Sequence, residues 1–324
     1  MLSNQEIRDI AWKRLFGGGW FWRLLGGSLL LGMFMQVVQS IFSAFFQIVG
    51  GVTWAMHLQA ILENSRDLVT PIPNLNSGMI VLMSAGTIFE IFLSLLLGAI
   101  VSYGTAALLL RCLDDDPRDW IVEIFKGVMM PFGLLALNAR FVLIFLGWMV
   151  LAFIPFAAVV GLVIAVFQPF AAGADPLASA IALSVGVSIA SLPAICIYLI
   201  PFYRYRFLYL VKAAHPDWTA GACLEHCREL MKNKMMRSFR LDCSYWKPIT
   251  LALLPLLIAS SLALFSTIFA ESTSRETAIA VVGFAAFVGL VCVILALGAL
   301  LVVSHYISVG QGILYRILES EINQ

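Results

Sequence analysis

Long apolar stretches make up most of the chain and alternate with short segments that hold most of its charges. Each apolar stretch is about 20 residues long or longer, which is the length at which an α-helix crosses the hydrocarbon core of a bilayer. The pattern predicts six transmembrane helices, at residues 24–49, 79–110, 138–166, 179–210, 249–270 and 278–309. Pro193 and Pro201 interrupt the fourth stretch, so we expect a kink there.

The segments that precede spans one, three and five carry helix-start signals. Ser3 and Glu6 have the spacing of a capping box, and the runs 116–120 and 215–218 both place a Pro and an Asp before a Trp. In the third segment, apolar and charged residues occupy opposite helical faces. The predicted fold class is therefore all-α: a polytopic membrane protein with about six transmembrane helices and short amphipathic interfacial helices on the cytoplasmic side.

This pattern divides the chain into three similar units within a single transmembrane domain that spans residues 1–324. The units are residues 1–113, 114–213 and 214–324, each an interfacial helix followed by a helical hairpin. An internal repeat would produce this pattern, and so would three ordinary membrane-entry helices. Both interpretations stay open at this point.

Composition excludes a soluble protein and a nucleic-acid partner. Hydrophobic residues make up 61% of the 324 residues and charged residues only 12%, which is more apolar surface than a soluble core of this length could bury. A formal net charge of +1 offers no field that would attract nucleic acid. The lipid bilayer is the expected partner.

The distribution of Lys and Arg predicts the orientation. On the six-span interpretation, only Arg66 and Arg275 of the 20 basic residues fall outside the termini, the second and fourth loops and the span ends beside them. Because Lys and Arg in short loops stay on the cytoplasmic side, both termini are predicted to be cytoplasmic. The first apolar stretch is too long for a signal-peptide core, so we expect it to remain as a span.

One acidic residue interrupts the second apolar stretch. Glu90 lies near the predicted bilayer midplane, where a carboxyl group is costly unless it is protonated or paired. Gln36 and Gln39 of the first span lie on a polar helical face that could pair with Glu90. These three residues are the candidate intramembrane polar site, either as interhelical hydrogen bonds alone or as a proton or substrate site.

A basic run follows the third amphipathic segment. Lys232, Lys234, Arg237 and Arg240 are expected at the inner membrane surface, where they would fix the topology. The same four residues are candidate contacts for anionic lipid headgroups or for a membrane-protein partner.

Two other clusters have residue types that metal sites use. The first, His215, Cys223, His226, Cys227 and Cys243, lacks a paired Cys-x-x-Cys unit, so no metal and no cofactor is predicted there. The acidic run 114–116 is expected to form a solvated turn and a helix cap rather than a divalent-ion site, because consecutive side chains point in different directions.

The fourth cytoplasmic loop resembles a bacterial membrane-protein family catalogued as domain of unknown function 975. The residues that carry the resemblance are Tyr205, His215-Pro216-Asp217, the run 223–232, Phe239, Leu241 and the run 243–246. The family has a comparable Asp-Asn-Pro turn, an Ala-Leu-x-x-Ser-Arg-x-Leu-Met-Lys-Gly helix and a Leu-Ser-Phe-x-x-Trp entry into the next span. The chain differs in having Ala214 in place of an Asp and Asn233 in place of a Gly.

The resemblance implies a six-span domain in the bacterial cytoplasmic (inner) membrane and supplies no established activity. It also implies that Cys223 and Cys227 pack beneath their helix, because the family has small Ala or Ser residues at those positions.

Function is predicted only as a class. No Gly-rich phosphate loop, nucleophile elbow or zinc-protease helix occurs in a credible context. We predict a non-enzymatic, permease-like or accessory module that binds a lipid, a peptide or a partner protein in the bilayer. The alternative is an intramembrane enzyme acting on lipid with Glu90 or His305 as acid or base, although His305 is expected to be a polar interhelical contact.

Overall fold

The structure is a computed structural model, and it describes residues 2–64, 77–116, 119–171, 176–271 and 275–322. These residues contain helices and no strand, which confirms the all-α prediction. The helices are α1 (Asn4–Gly17), α2 (Trp20–Asn64), α3 (Ser77–Asp114), α4 (Trp120–Met129), α5 (Pro131–Ala171), α6 (Pro176–Arg204), α7 (Leu208–Ala214), α8 (Ala220–Leu230), α9 (Met235–Ser244), α10 (Trp246–Glu271) and α11 (Arg275–Ile322).

Six segments are long and apolar enough to cross a membrane, as the sequence predicts. They lie in α2, α3, α5, α10 and α11, and in the fourth case along α6 and α7 together. Pro193 lies inside α6 without ending it, whereas the helix ends at Arg204, shortly after Pro201. A turn at 205–207 therefore separates α6 from α7 within the fourth span.

The short helices pack together at the end of the bundle where both termini lie. We call this the basal layer: α1, α4, α7, α8, α9 and the final turns of α11, which contact one another and the adjoining ends of the long helices. The long helices form the hairpins α2–α3, α5–α6 and α10–α11, and α3 is central because it packs against α2, α5, α7 and α11. Away from the basal layer, many large apolar side chains are exposed, among them Val150, Phe153, Leu264, Phe284 and Phe287.

The main hydrophobic core lies in the basal layer. Trp20, Phe207, Tyr245 and Tyr315 are the largest of its fully buried side chains. The apolar face of α8 joins this core through Cys223, Leu224, Cys227 and Leu230, as its amphipathic pattern predicts. Burial raises the pKa of Cys227 to about 12, so its thiol stays protonated and acts as a small apolar side chain.

The capping box at the start of α1 is confirmed. Ser3 Oγ accepts a hydrogen bond from the Glu6 backbone N–H at 3.2 Å, and the Glu6 carboxylate accepts one from the Ser3 backbone N–H at 2.6 Å. These bonds lower the pKa of Glu6, because they favour its charged form.

The other two predicted helix starts are wrong in position. The first falls partly on Pro117 and Arg118, which lie outside the described residues; α4 begins at Trp120, after Asp119 in the left-handed region at φ 52°. In the second, the helix-start signal lies at 215–218, but α8 begins at Ala220 and Thr219 caps it, accepting from the Ala222 backbone N–H at 3.3 Å.

A buried lysine holds the turn that precedes α8. Lys212 Nζ donates to the carbonyl oxygens of Pro216 (2.6 Å) and Trp218 (2.8 Å), which holds residues 216–218 in a turn. The helix follows this turn and begins at Ala220.

The acidic run 114–116 differs in part from the solvated turn and helix cap that the sequence predicts. The Asp114 and Asp115 side chains are more than half exposed, but each of the three carboxylates also binds another side chain. The partners are Arg316 for Asp114 (2.7 Å), Trp20 Nε1 (2.9 Å) and Arg14 (3.3 Å) for Asp115, and Arg111 for Asp116. The run therefore connects the end of α3 to α1, α2 and α11.

At Gly104, α3 lies close against α4. A Cβ atom built there would lie 2.5 Å from the Ile124 carbonyl oxygen and 2.9 Å from Leu31 Cδ1, whereas one at Gly98 of the same helix would meet nothing within 4 Å. We expect Gly104→Ala to destabilise the fold by about 1–3 kcal/mol, because a backbone oxygen must move. Gly98→Ala is the matched control and should be neutral or stabilising by up to about 1 kcal/mol. Thermal unfolding in detergent measures both, and equal midpoints for the two variants would contradict this packing.

Candidate functional site

A polar cavity of about 390 Å³ lies between α2, α3, α7 and α11. Its polar lining residues are Ser28, Ser102, Thr105, Arg206, Tyr209, Ser304, His305 and Ser308, and we call it the polar cavity. Leucine and alanine side chains such as Leu24 and Ala106 complete the wall. A site of this volume suits a headgroup-sized ligand.

The helix period explains how apolar spans supply a polar wall. Ser102 and Thr105 are separated by three positions on α3, and Ser304 and Ser308 by four on α11, so each pair lies on one helical face. All four line the same cavity because α3 and α11 pack together beside the basal layer.

Four of the six hydroxyl groups of this wall donate to their own helices. Ser28 Oγ donates to the Leu25 carbonyl oxygen at 3.0 Å. Thr105, Ser304 and Ser308 donate in the same way to carbonyls three or four residues earlier, at 2.8–3.0 Å. Each hydroxyl oxygen then keeps its lone pairs for the cavity, so this wall chiefly accepts hydrogen bonds.

His305 lines the cavity beside Ser28. The distance between His305 Nε2 and Ser28 Oγ is 3.4 Å, at the long end for a hydrogen bond. The Phe21 ring meets the imidazole edge-on, with 6.5 Å between ring centroids. In the part of the chain that the structure describes, no carboxylate hydrogen-bonds to His305. The predicted polar interhelical contact is therefore present, between α11 and α2.

Arg206 forms the charged wall of the cavity, and a carboxylate balances it. Arg206 binds Asp242 through both guanidinium Nη atoms, one of them at 3.0 Å from Oδ1. Tyr203 Oη donates to Asp242 Oδ2 at 2.8 Å, and Gln311 Nε2 donates to Oδ1 at 2.7 Å. The guanidinium is thus fixed in place with its charge compensated.

The polar site predicted from the sequence lies further along the bundle. Glu90, Gln36 and Gln39 are exposed, and the described residues give their side chains no hydrogen bond or ion pair. Phe42 and Phe89 are in ring contact at 5.4 Å, so α2 and α3 are adjacent at the level of Glu90. The cavity residues of α3 begin roughly 18 Å from that level, at 1.5 Å rise per residue. A functional role for Glu90, Gln36 and Gln39 stays a prediction.

The four predicted basic contacts fall into two groups. Glu321 binds Lys234 and also Arg237, whose Nη1 lies 3.1 Å from Glu321 Oε1. Lys232 and Arg240 are exposed and form no ion pair within the described ranges. The basic run is therefore not one uniform surface.

A second, larger cavity lies in the basal layer, with a volume of about 620 Å³. Its charges balance one another: Arg111 binds Glu123 (3.1 Å), Arg316 binds Asp114 (2.7 Å) and His215 lies 3.4 Å from Glu319. Burial would raise the pKa of Glu123, but hydrogen bonds from Lys126 and Arg111 outweigh burial and lower it. Because each of these charges already has a partner, this cavity has little net charge with which to attract an ionic ligand.

The sequence interpretation missed the Arg206–Asp242–Gln311 network. Asp242 lies on α9, Gln311 on α11 and Arg206 in the turn after α6, so no local spacing connects them. The sequence did contain one signal, because Gln311 is an amide in an apolar helix. The structure leaves its side chain only 4% exposed. A buried amide needs a polar partner.

The Arg206–Asp242–Gln311 network should stabilise the fold more than an exposed ion pair does. Arg206 and Asp242 side chains are 17% and 22% exposed, so Asp242→Asn leaves a partly buried guanidinium without its counter-charge and should cost about 2–3 kcal/mol. The control is Glu225→Gln, which removes an exposed pair 4.0 Å from Arg228 and should cost less than about 1 kcal/mol. Thermal unfolding in detergent compares them; a D242N midpoint no lower than that of E225Q would refute this role.

Comparison with protein-family models, with curated proteins and with solved structures finds no match to this chain. The resemblance to domain of unknown function 975 therefore stays a prediction. Asn233 lies at φ 61°, in the left-handed region that Gly and Asn adopt most readily.

Proposed function

We propose that this protein is a multi-pass protein of the bacterial inner membrane that binds a lipid headgroup in the polar cavity and does no chemistry on it. The observation that carries the proposal is a polar cavity, with serine and threonine oxygens free to accept hydrogen bonds, between segments long and apolar enough to span a bilayer. In this proposal the protein is a permease-like or accessory module, the class that the sequence favours.

The proposed orientation places the basal layer in the cytoplasm. Basic residues gather there, for example Arg8, Arg14, Lys126, Arg206 and Lys212. Because such residues stay on the cytoplasmic side during insertion, both termini are cytoplasmic in the proposal. The polar cavity then faces the inner leaflet, close to its headgroup region.

The chemistry of the cavity favours a ligand that donates hydrogen bonds. Ser28, Thr105, Ser304 and Ser308 already donate to their own helices, so their oxygens accept. Lipid headgroups that carry an ammonium or hydroxyl group are suitable donors. A volume of about 390 Å³ is too small for a folded peptide or a partner helix, which favours lipid over the other predicted ligands.

Several contacts oppose an intramembrane enzyme. Ser28 commits its proton to the Leu25 carbonyl, so it is poorly placed to be activated by His305. Arg206 is held by Asp242, and the described residues place no second acid or base beside His305. Acid–base chemistry on a lipid usually needs several convergent groups.

Filling the cavity tests the proposal. Ser102→Leu puts a larger apolar side chain into the cavity wall and should abolish stoichiometric retention of a lipid. Ser260→Leu is the matched control, because Ser260 is an exposed serine of α10 outside the cavity and also bonds its own helix. Gentle extraction followed by mass spectrometry measures bound lipid. Equal retention by S102L and S260L would remove the polar cavity as the binding site.

The same mass spectra distinguish the enzyme alternative. A binding module leaves the retained lipid chemically unchanged, both in the native protein and in a His305→Gln variant. A product that the native protein forms from added lipid, and that a stably folded H305Q variant does not form, would favour the enzyme instead.

Reporter fusions test the orientation. A reporter inserted between α5 and α6 should be extracytoplasmic, and one fused after α11 should be cytoplasmic, because the basic residues lie at the basal end. A cytoplasmic signal from the α5–α6 insertion would contradict the proposed topology.

A further inference from the structure

Three basic side chains converge on a separate pocket of about 450 Å³ at the edge of the basal layer. Arg204, Arg228 and Lys232 line it together with a single carboxylate, Glu229. We call this the basic pocket. It lies outside the polar cavity and shares no lining residue with it.

The cations of the basic pocket lack the partners that other basic residues have. Arg204 and Lys232 form no ion pair among the residues the structure describes, and Arg228 has only an exposed contact with Glu225 at 4.0 Å. By contrast, four other basic residues are each bound by a carboxylate: Lys234, Arg237, Arg206 and Arg316. Among the residues that line this pocket, positive charge therefore exceeds negative charge.

Two local features bring the three cations together. Cys227 Sγ donates to the Arg204 carbonyl oxygen at 3.6 Å, which holds α8 against the end of α6. The left-handed residue Asn233 turns the chain between α8 and α9, so that Lys232 and Met235 both line the pocket. Contacts within the protein thus hold the backbone segments that carry the three cations.

We infer that the basic pocket binds a phosphate-bearing anion, a phosphomonoester or phosphodiester group. Guanidinium groups bind phosphate oxygens in a bidentate fork, and an ammonium adds a compact third charge. The exposed apolar side chains of Phe202, Met236 and Phe239 lie on the helices that flank the pocket. These apolar side chains would place the basic pocket at the membrane surface, where either a lipid headgroup or a soluble phosphate compound could enter.

The test compares two probes on the full-length protein. One arm measures binding of soluble glycerol phosphate to the protein in neutral detergent, and the other measures binding of phosphatidylglycerol in otherwise zwitterionic nanodiscs. Arg228→Gln and Lys232→Gln change exposed side chains, so both should fold, and each should weaken binding about tenfold. Lys13→Gln is the matched control: it removes the same charge from an exposed position outside the pocket and should change affinity less than about twofold.

Each outcome decides the inference. Tenfold losses with both probes, or with either probe alone, support phosphate recognition, and the probe affected identifies the lipid or the soluble compound as the source. Equal losses for K13Q and the pocket variants would show attraction to the surface as a whole and overturn the site. Binding by R228Q and K232Q at native affinity, or no binding by the native protein in either arm, would overturn it too. Failure of this test leaves lipid retention in the polar cavity unaffected, so the two proposals fail independently.

Discussion

Hydrocarbon offers no hydrogen-bond partners, and this constraint governs how the chain satisfies its polar groups. A spanning segment must satisfy every backbone N–H and C=O internally, which is why the apolar stretches are helices throughout the described residues. The same constraint acts on side chains. Ser28, Thr105 and Ser308 return their protons to their own helices, and Asp242 neutralises Arg206. These side chains are therefore already hydrogen-bonded or charge-balanced. They present oxygen lone pairs to the polar cavity and give it little net charge.

The turn after α6 separates two kinds of site. Arg206 faces the polar cavity, where Asp242 compensates it, and Arg204 faces the basic pocket, where no carboxylate binds it among the described residues. Two arginines beside one turn therefore have opposite electrostatic roles. The polar cavity beside Arg206 suits a neutral or hydrogen-donating group, and the basic pocket beside Arg204 suits an anion. Both depend on the packing of α8 and α9 against the ends of the spans.

Local signals in the sequence predict much of the fold. Apolar length predicts six spans, the spacing of Ser3 and Glu6 predicts the first helix start, and periodicity predicts the buried face of α8. Each of these depends on residues close together in the chain. The starts of α4 and α8 differ from the prediction. The left-handed Asp119 precedes α4 and the turn held by Lys212 precedes α8, and neither feature can be read from local capping patterns.

The sites depend on contacts between distant residues, which one sequence does not reveal. The acidic run is predicted to be a solvated turn, and only the fold shows that it also binds groups of α11, α1 and α2. Lys232 and Lys234 are equivalent in the sequence, but Glu321 binds Lys234, whereas Lys232 joins Arg204 in the basic pocket. His305 is predicted to be a polar contact from its position alone, and its partner Ser28 lies far away in the chain.

A cryo-EM structure of the protein in lipid nanodiscs tests the central claim most directly, because it shows what occupies the polar cavity. The account predicts density for a lipid headgroup within hydrogen-bond distance of the Thr105 and Ser308 hydroxyl oxygens, with Arg206 still bound to Asp242. A cavity that is closed by its own side chains, or that holds only water while lipid tails pass outside, would contradict it.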